Sequence, residues 1–286
     1  MGRCSSRSML ALSVIGITAA APPVTSPHPW PDAVGAPLEA RFAPPAACAP
    51  IPVAPRSFAA WLRRLPLHPG RPPVRLFDGR LKDNQEAHEA VVAIDVGKRD
   101  LQQCADAVIR LRAEWLWARG CEEAIAFHFT SGDLARWMAW RAGQRPWIDG
   151  SRVRWVLGAV ADPSYTSFRR YLETVFTYAG SASLAGELRP VSDPRQVEGG
   201  DVFVHAGHPG HAVVVVDVAA NGVGQRFFLL AQSYMPAQEI HVLRNPAHVG
   251  SPWYAAAASG ELVTPEWTFR YTELRRFEPP TCDEPP

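Results

Sequence analysis

The sequence predicts an α+β domain in which helices pack on a mainly antiparallel sheet. Three observations carry that expectation. Leu101, Cys104, Val108, Leu111 and Trp115 recur at three- and four-residue steps, the spacing of one helix face. A second helical stretch starts at Asp162-Pro163, runs through Phe168, Leu172 and Val175, and stops at Gly180. From Asp201 onward the pattern turns extended: 201–204, 212–218, 227–232 and 239–243 read as strands, the first two joined by Gly207-His208-Pro209-Gly210.

The remaining elements follow in order. Ser57 is placed to cap a short helix through Trp61 and Leu65, ended by Pro66. Ala90 to Asp95 is short, apolar and β-branched, as a buried strand should be. Asp100 with Gln103 gives a capping-box-like start to the helix that Gly120 ends. Ala124 to Phe129 reads as a strand and Leu134 to Trp140 as a short helix.

Outside this unit the composition changes. Arg3 and Arg7 precede the apolar run Met9–Ala21, which closes on small residues, the three parts of an export signal. That run is shorter than the ~20 residues a membrane span needs. Residues 22–55 hold eleven prolines and read as an extended linker. The tail 278–286 is again Pro-rich and polar, which leaves 56–277 as one folded domain. The expectation is therefore an exported protein, periplasmic or extracellular.

Composition excludes several classes. At 47% hydrophobic the chain can bury a core, and it shows no repeat. With 29 basic against 28 acidic residues it has neither the charge to neutralise a nucleic-acid backbone nor a polybasic membrane patch. No Walker loop, dinucleotide fingerprint, Gly-x-Ser-x-Gly or His-Glu-x-x-His occurs, so no cofactor is expected.

The residues that could carry chemistry are a thiol and an imidazole. Cys104 falls early in its helix, where unpaired N–H groups and the helix dipole favour a thiolate. A Cys nucleophile needs a base, and His211 opens the very apolar strand that follows the Gly-rich turn. Asp217 lies six residues further along that strand, about 20 Å away, too far to orient the ring. Gln232, at the end of the next strand, reaches His211 if the two strands pair, and Gln103 is a candidate oxyanion donor. The competing reading is structural: Cys104 on an apolar stripe is ordinary core, and His211 caps a hairpin.

Disulfides are a further reading, since export permits them. A helix from 101 to about 118 would hold Cys104 and Cys121 about 25 Å apart, against the ~7 Å a bridge allows. Cys48 with Cys282 would join the two ends.

Gly200-Asp201-Val202-Phe203 and Gly210-His211-Ala212-Val213-Val214-Val215 resemble the signature of NlpC-type, papain-like peptidases. The resemblance implies that the His is a base, that the nucleophilic Cys begins a helix packed on the sheet, and that a polar residue on the following strand orients the His. It also implies hydrolysis or acyl transfer at amides of cell-wall peptides. The Cys helix of those enzymes lies closer to the His than Cys104 does. The helix at the usual distance offers Ser164, Thr166 and Ser167 instead: either the domain carries an insertion between Cys104 and the sheet, or it is a relative that has lost its thiol. Over most of 57–277 the chain also resembles a family of uncharacterised exported bacterial proteins. That likeness rests on residues 95–106, 176–180, 230–238 and 264–268.

Two rivals remain. His205, His208 and His211 at three-residue steps suggest a metal site, but a strand sends 205 and 208 to opposite faces and no acidic or Cys partner is near, so none is expected. Trp137, Trp140, Trp147 and Trp155, interleaved with Arg136, Arg141, Arg145, Arg152 and Arg154, suit a wall- or glycan-binding surface if exposed. If buried they are core.

Overall fold

The computed structural model describes Met1 and residues 36–283. The expected export signal and linker residues 22–35 lie outside the described residues. The helices are α1 (Leu38–Arg41), α2 (Phe58–Arg63), α3 (Cys104–Ala118), α4 (Trp137–Arg141), α5 (Tyr165–Tyr178) and α6 (Ser181–Glu187). The first eight strands are β1 (Cys48–Pro50), β2 (His88–Val91), β3 (Ala126–His128), β4 (Leu134–Arg136), β5 (Gln144–Asp149), β6 (Arg152–Leu157), β7 (Arg189–Pro190) and β8 (Val202–His205). They are followed by β9 (His211–Asn221), β10 (Arg226–Gln232), β11 (His241–Leu243), β12 (Tyr254–Ala255), β13 (Glu261–Val263), β14 (Thr268–Arg270) and β15 (Leu274–Arg276).

The architecture is α+β, built on one antiparallel sheet in the order β2-β11-β10-β9-β8-β15-β7. Its axis is β9. The first half of β9 pairs with β8 (His211 opposite His205), and its last residues pair with β1 (Asn221 opposite Cys48). β10 runs along its other side, with a bulge that leaves Val216 out of register. Nine successive β9 residues, His211 to Ala219, are buried. Ala212, Val214 and Val216 share a core with Val108 and Leu111 of α3, and Val213 and Val215 share one with Phe228 and Phe269. A strand covered on both faces is apolar wherever no polar partner is at hand, and residues 212–216 supply that run.

Several boundaries differ from the sequence reading. α3 begins at Cys104, three residues later than expected. Asp100 is diverted from capping it: its Oδ1 accepts from Ala237 N–H (2.7 Å) and from the Gln103 side chain (3.0 Å). Asp106 serves instead, accepting the Gln103 N–H at 3.1 Å. Residues 134–136 form a strand rather than the start of a helix, since Ala135 and Trp137 are buried while Arg136 is exposed, a period of two. β5 and β6, a two-stranded hairpin, went unread as strands.

The linker and tail boundaries move as well. Residues 36–55 belong to the fold: Leu38 of α1 is buried, β1 pairs with β9, and Ile51 N–H donates to Val218 O at 3.0 Å. Pro50 fits because β1 pairs on one side only, where a missing N–H is tolerated. The tail is anchored by a disulfide between Cys121 and Cys282, with Cα atoms 5.8 Å apart. Cys282 therefore pairs with Cys121 and not with Cys48, which lies in β1 with a free thiol. No described helix is long and apolar enough to cross a membrane.

The bridge closes a loop of 161 residues, and long loops lose the most unfolded-state entropy. Cys282→Ser is expected to lower unfolding free energy by about 2–4 kcal/mol in urea titrations. Reductant should lower the wild type equally and leave the variant unchanged.

Candidate functional site

α3 packs across β9 and points its first residue at that strand's start. Cys104 is the first helical residue, and the Ala212 N–H is hydrogen-bonded to its sulfur. The thiol therefore sits against the first peptide of β9, one residue from His211. Burial pushes the thiol up to about 11. The Ala212, Ala105 and Cys104 N–H groups favour the thiolate and Asp106 opposes it, but none outweighs desolvation. At neutral pH the group is a thiol. Its side chain is only 8% exposed.

His211 and Gln232 leave neighbouring strands together. His211 Nε2 lies 2.8 Å from Gln232 Oε1, so the strand pairing that would bring them together exists. The ring is enclosed by Tyr234 (centroids 4.9 Å apart), Trp267 (5.4 Å) and a stacked Phe269 (5.7 Å). Desolvation is the main reason its pKa falls to about 4; the Gln232 bond acts against this and the Lys82 charge adds to it. Tyr234 neighbours Cys104 as well as Glu266, and burial raises its hydroxyl.

Behind Gln232 stands a polar chain that the sequence reading missed. Gln232 Nε2 donates to Glu266 Oε2 at 2.7 Å and faces His241 Nε2 at 3.4 Å. Glu266 in turn holds the buried Lys82 ammonium at 2.5 and 2.7 Å. Desolvation lowers the Lys82 pKa against the pull of Glu266. His241 Nδ1 is 2.8 Å from the Glu239 carbonyl, and burial first, then Lys82, lowers its ring to about 3. The one available signal was literal: Glu266 and Trp267 belong to the stretch 264–268, Gln232 and Tyr234 to 230–238, and Cys104 to 95–106. Three stretches far apart in the chain meet at His211.

The other candidates fall elsewhere. Gln103 is half-buried and gives one of its two amide hydrogens to Asp100. The N–H groups of Cys104 and Ala105, at the open end of α3, lie beside the sulfur. Ser164 caps α5 by accepting from Ser167 N–H, Ser167 Oγ accepts from Trp140 Nε1, and Thr166 is exposed. Asp217 pairs with Arg63 at 2.7 Å. His205 Nδ1 lies 2.6 Å from Glu273, and among the described residues no three His, Cys, Asp or Glu side chains form a metal-holding group. Trp137 and Trp140 are buried, whereas Trp147 is 49% exposed with Arg154 over its ring at 5.8 Å. A cavity of about 480 Å³ lies toward the far end of β9, where Arg63, Asp217, Asp201 and Arg276 line it, already paired with one another.

The two glycine motifs have steric causes. Gly200 has φ +95°, and a Cβ there would lie 2.7 Å from the Phe58 ring. Asp201 beside it is buried and held by Arg276 at 2.6 and 2.8 Å, so the Gly-Asp pair seats β8 against α2 and β15. A Cβ on Gly210 would meet Ser181 Oγ at 2.2 Å, Gly207 O at 2.5 Å and His205 O at 2.9 Å.

The family model described as a domain of unknown function (4846) matches residues 38–276. The chain belongs to that family. The match begins at α1, inside the segment that composition alone marked as linker. Comparison with curated proteins gives no match, and comparison with solved structures gives none.

Two predictions follow from this geometry. Gly210→Ala should destabilise the fold by about 1–3 kcal/mol, and adding Ser181→Gly should not restore it, because two backbone oxygens remain in the way. Urea titration reads both. An NMR titration should find the His211 and His241 rings still neutral at about pH 5.5. The unfolded chain binds these protons near pH 6.5. The stability that the neutral rings contribute is thus complete above that value and is lost as pH falls toward about 4 for His211 and about 3 for His241. The raised carboxyls Asp201 and Asp217 act with the opposite sign, so the rings themselves are the cleaner readout.

Proposed function

We propose that this protein is an exported cysteine hydrolase with a papain- or NlpC-like site, acting on amide bonds of cell-wall peptides. The observation that carries the reading is the conjunction at the start of β9: a helix-opening thiol against the Ala212 peptide, and a neighbouring imidazole bonded through Nε2 to an amide oxygen. An amide oxygen only accepts, so Nε2 carries the hydrogen and Nδ1 keeps its lone pair. Because thiol and ring are both neutral, the chemistry begins with general-base transfer rather than a stored ion pair. Cys104 Sγ attacks the substrate carbonyl carbon as its proton passes to His211 Nδ1. The N–H groups of Cys104 and Ala105 receive the developing oxyanion. His211 returns the proton to the leaving amine, and water then releases the acyl group from sulfur. Gln232 keeps the ring oriented throughout. The Cys121–Cys282 bridge suits an oxidising compartment, and Cys104 is left as a thiol there.

A non-catalytic wall- or glycan-binding role is the second reading, favoured by the exposed Trp147 beside Arg154 on the β5–β6 hairpin. One experiment separates the two. Wild-type protein and Cys104→Ala are incubated with cell-wall peptide and with intact wall fragments. The hydrolase reading expects new amine termini from the wild type and at least a 10³-fold loss in the variant, the scale of losing a nucleophile. Equal turnover by the variant overturns it. Wall binding without turnover by either protein selects the second reading.

A further inference from the structure

Three side chains meet the Gln232 amide, and their hydrogen-bonding capacities leave it one orientation. The Glu266 carboxylate, 2.7 Å from Gln232 Nε2, is an acceptor with no hydrogen to give while Lys82 balances its charge. His241 donates through Nδ1 to the Glu239 carbonyl, which can only accept, so its Nε2 is bare and faces the same Gln232 nitrogen. Both amide hydrogens thus meet acceptors, and the oxygen is left for His211 Nε2 at 2.8 Å. If the amide turned over, its oxygen would face a carboxylate oxygen and a bare ring nitrogen, and its NH₂ would face a ring hydrogen.

We propose that Glu266, held by Lys82, is a positioning residue that sets the tautomer of His211 through Gln232, keeping Nε2 protonated and Nδ1 bare. The proposal rests on the reading of His211 as the base, because Nδ1 is the nitrogen that base would use. Glu266 touches neither His211 nor a substrate. It acts two hydrogen bonds away, by denying Gln232 its other rotamer. The groups around His211 are Gln232, Tyr234, Trp267 and Phe269, with Cys104 next to Tyr234 and with Lys82, Glu266 and His241 beyond the amide. Of these only the Glu266 carboxylate brings a full charge into direct contact with Gln232.

The test is a long-range ¹H–¹⁵N spectrum of the imidazoles in the full-length protein, wild type against Glu266→Gln. A glutamine at 266 can donate as well as accept, and Lys82, without its counter-charge, attracts the Gln232 oxygen. The wild type should show His211 in the Nε2–H form. In the variant the ratio of Nε2–H to Nδ1–H should fall about tenfold, the equivalent of exchanging a charge-assisted bond for a neutral one. A purely structural Glu266 would lower stability and leave the tautomer where it was. An unchanged His211 tautomer in folded Glu266→Gln overturns the proposal, as does a wild-type ring already in the Nδ1–H form.

Should the lone buried ammonium prevent folding, Lys82→Met/Glu266→Gln removes both charges and the same ring is read, with the same two outcomes. The spectrum needs no turnover and can be recorded on Cys104→Ala. A tautomer shift without any hydrolase activity therefore supports the positioning role while the hydrolase reading fails. Hydrolysis with an unmoved tautomer does the reverse.

Discussion

The structure depends on one constraint, the burial of β9 on both faces. A strand covered by α3 on one side and by the Phe203, Phe228 and Phe269 layer on the other cannot carry polar side chains in its middle. Its polar residues are displaced to where a partner exists: His211 at the opening, against Gln232, and Asp217 past the bulge, against Arg63. The same burial fixes the neighbours. β8, β10 and β1 must all pair with β9, since an unpaired N–H or C=O in that position would go unsatisfied. The position of the candidate site is thus a by-product of how the core is closed.

α3 needs its own support because it carries charge into the core. Arg110 is wholly buried, and its guanidinium meets Glu114 at 2.9 Å, Gln102 at 2.6 Å, and the Asp95 carbonyl and carboxylate at 2.7 and 3.0 Å. Such a network is expensive unless nearly every donor is used, and here it ties the loop before α3 to the helix itself. Ser233 extends the tie by donating to the Gln102 carbonyl at 2.8 Å. The end of β10, which presents Gln232, and the start of α3, which presents Cys104, are in this way held to one another. Around them the Lys82–Glu266 pair and two neutral histidines form a second buried polar chain. Its members are compatible because each is offered a partner of the complementary kind.

Much of the fold was legible. The apolar stripe of α3, the continuous run of Val in β9 and the Gly-rich turn before it are local signals of period and turn chemistry, and they placed the helix, the strands and the contact between His211 and Gln232. Where two periods fit one short segment, reading by pattern held only in part: of Leu134–Trp140 the second half lies in helix α4, but Leu134–Arg136 is a strand, with Ala135 buried and Arg136 exposed. Composition misjudged residues 36–55, because proline excludes helix interiors and central strands but not an edge strand such as β1. The three-residue error at the start of α3 came from Asp100, whose carboxylate is claimed by Ala237, a residue 137 positions away.

The sequence by itself determined the α+β class, the long apolar strand at its centre, and the identity of the thiol, the imidazole and the amide that come to lie near one another. Each is written in a local pattern that any reader of periodicity and turn residues can recover. Only the tertiary structure decided that Cys121 pairs with Cys282, that Gln103 is tied to Asp100, and that Glu266 and Lys82 stand behind Gln232. Those are contacts between segments separated by 161, 137 or 184 residues, or consequences of such contacts. They are chosen by which chain positions the packed core brings together, and a hydrogen-bonding group in a sequence does not announce which distant partner will be left for it.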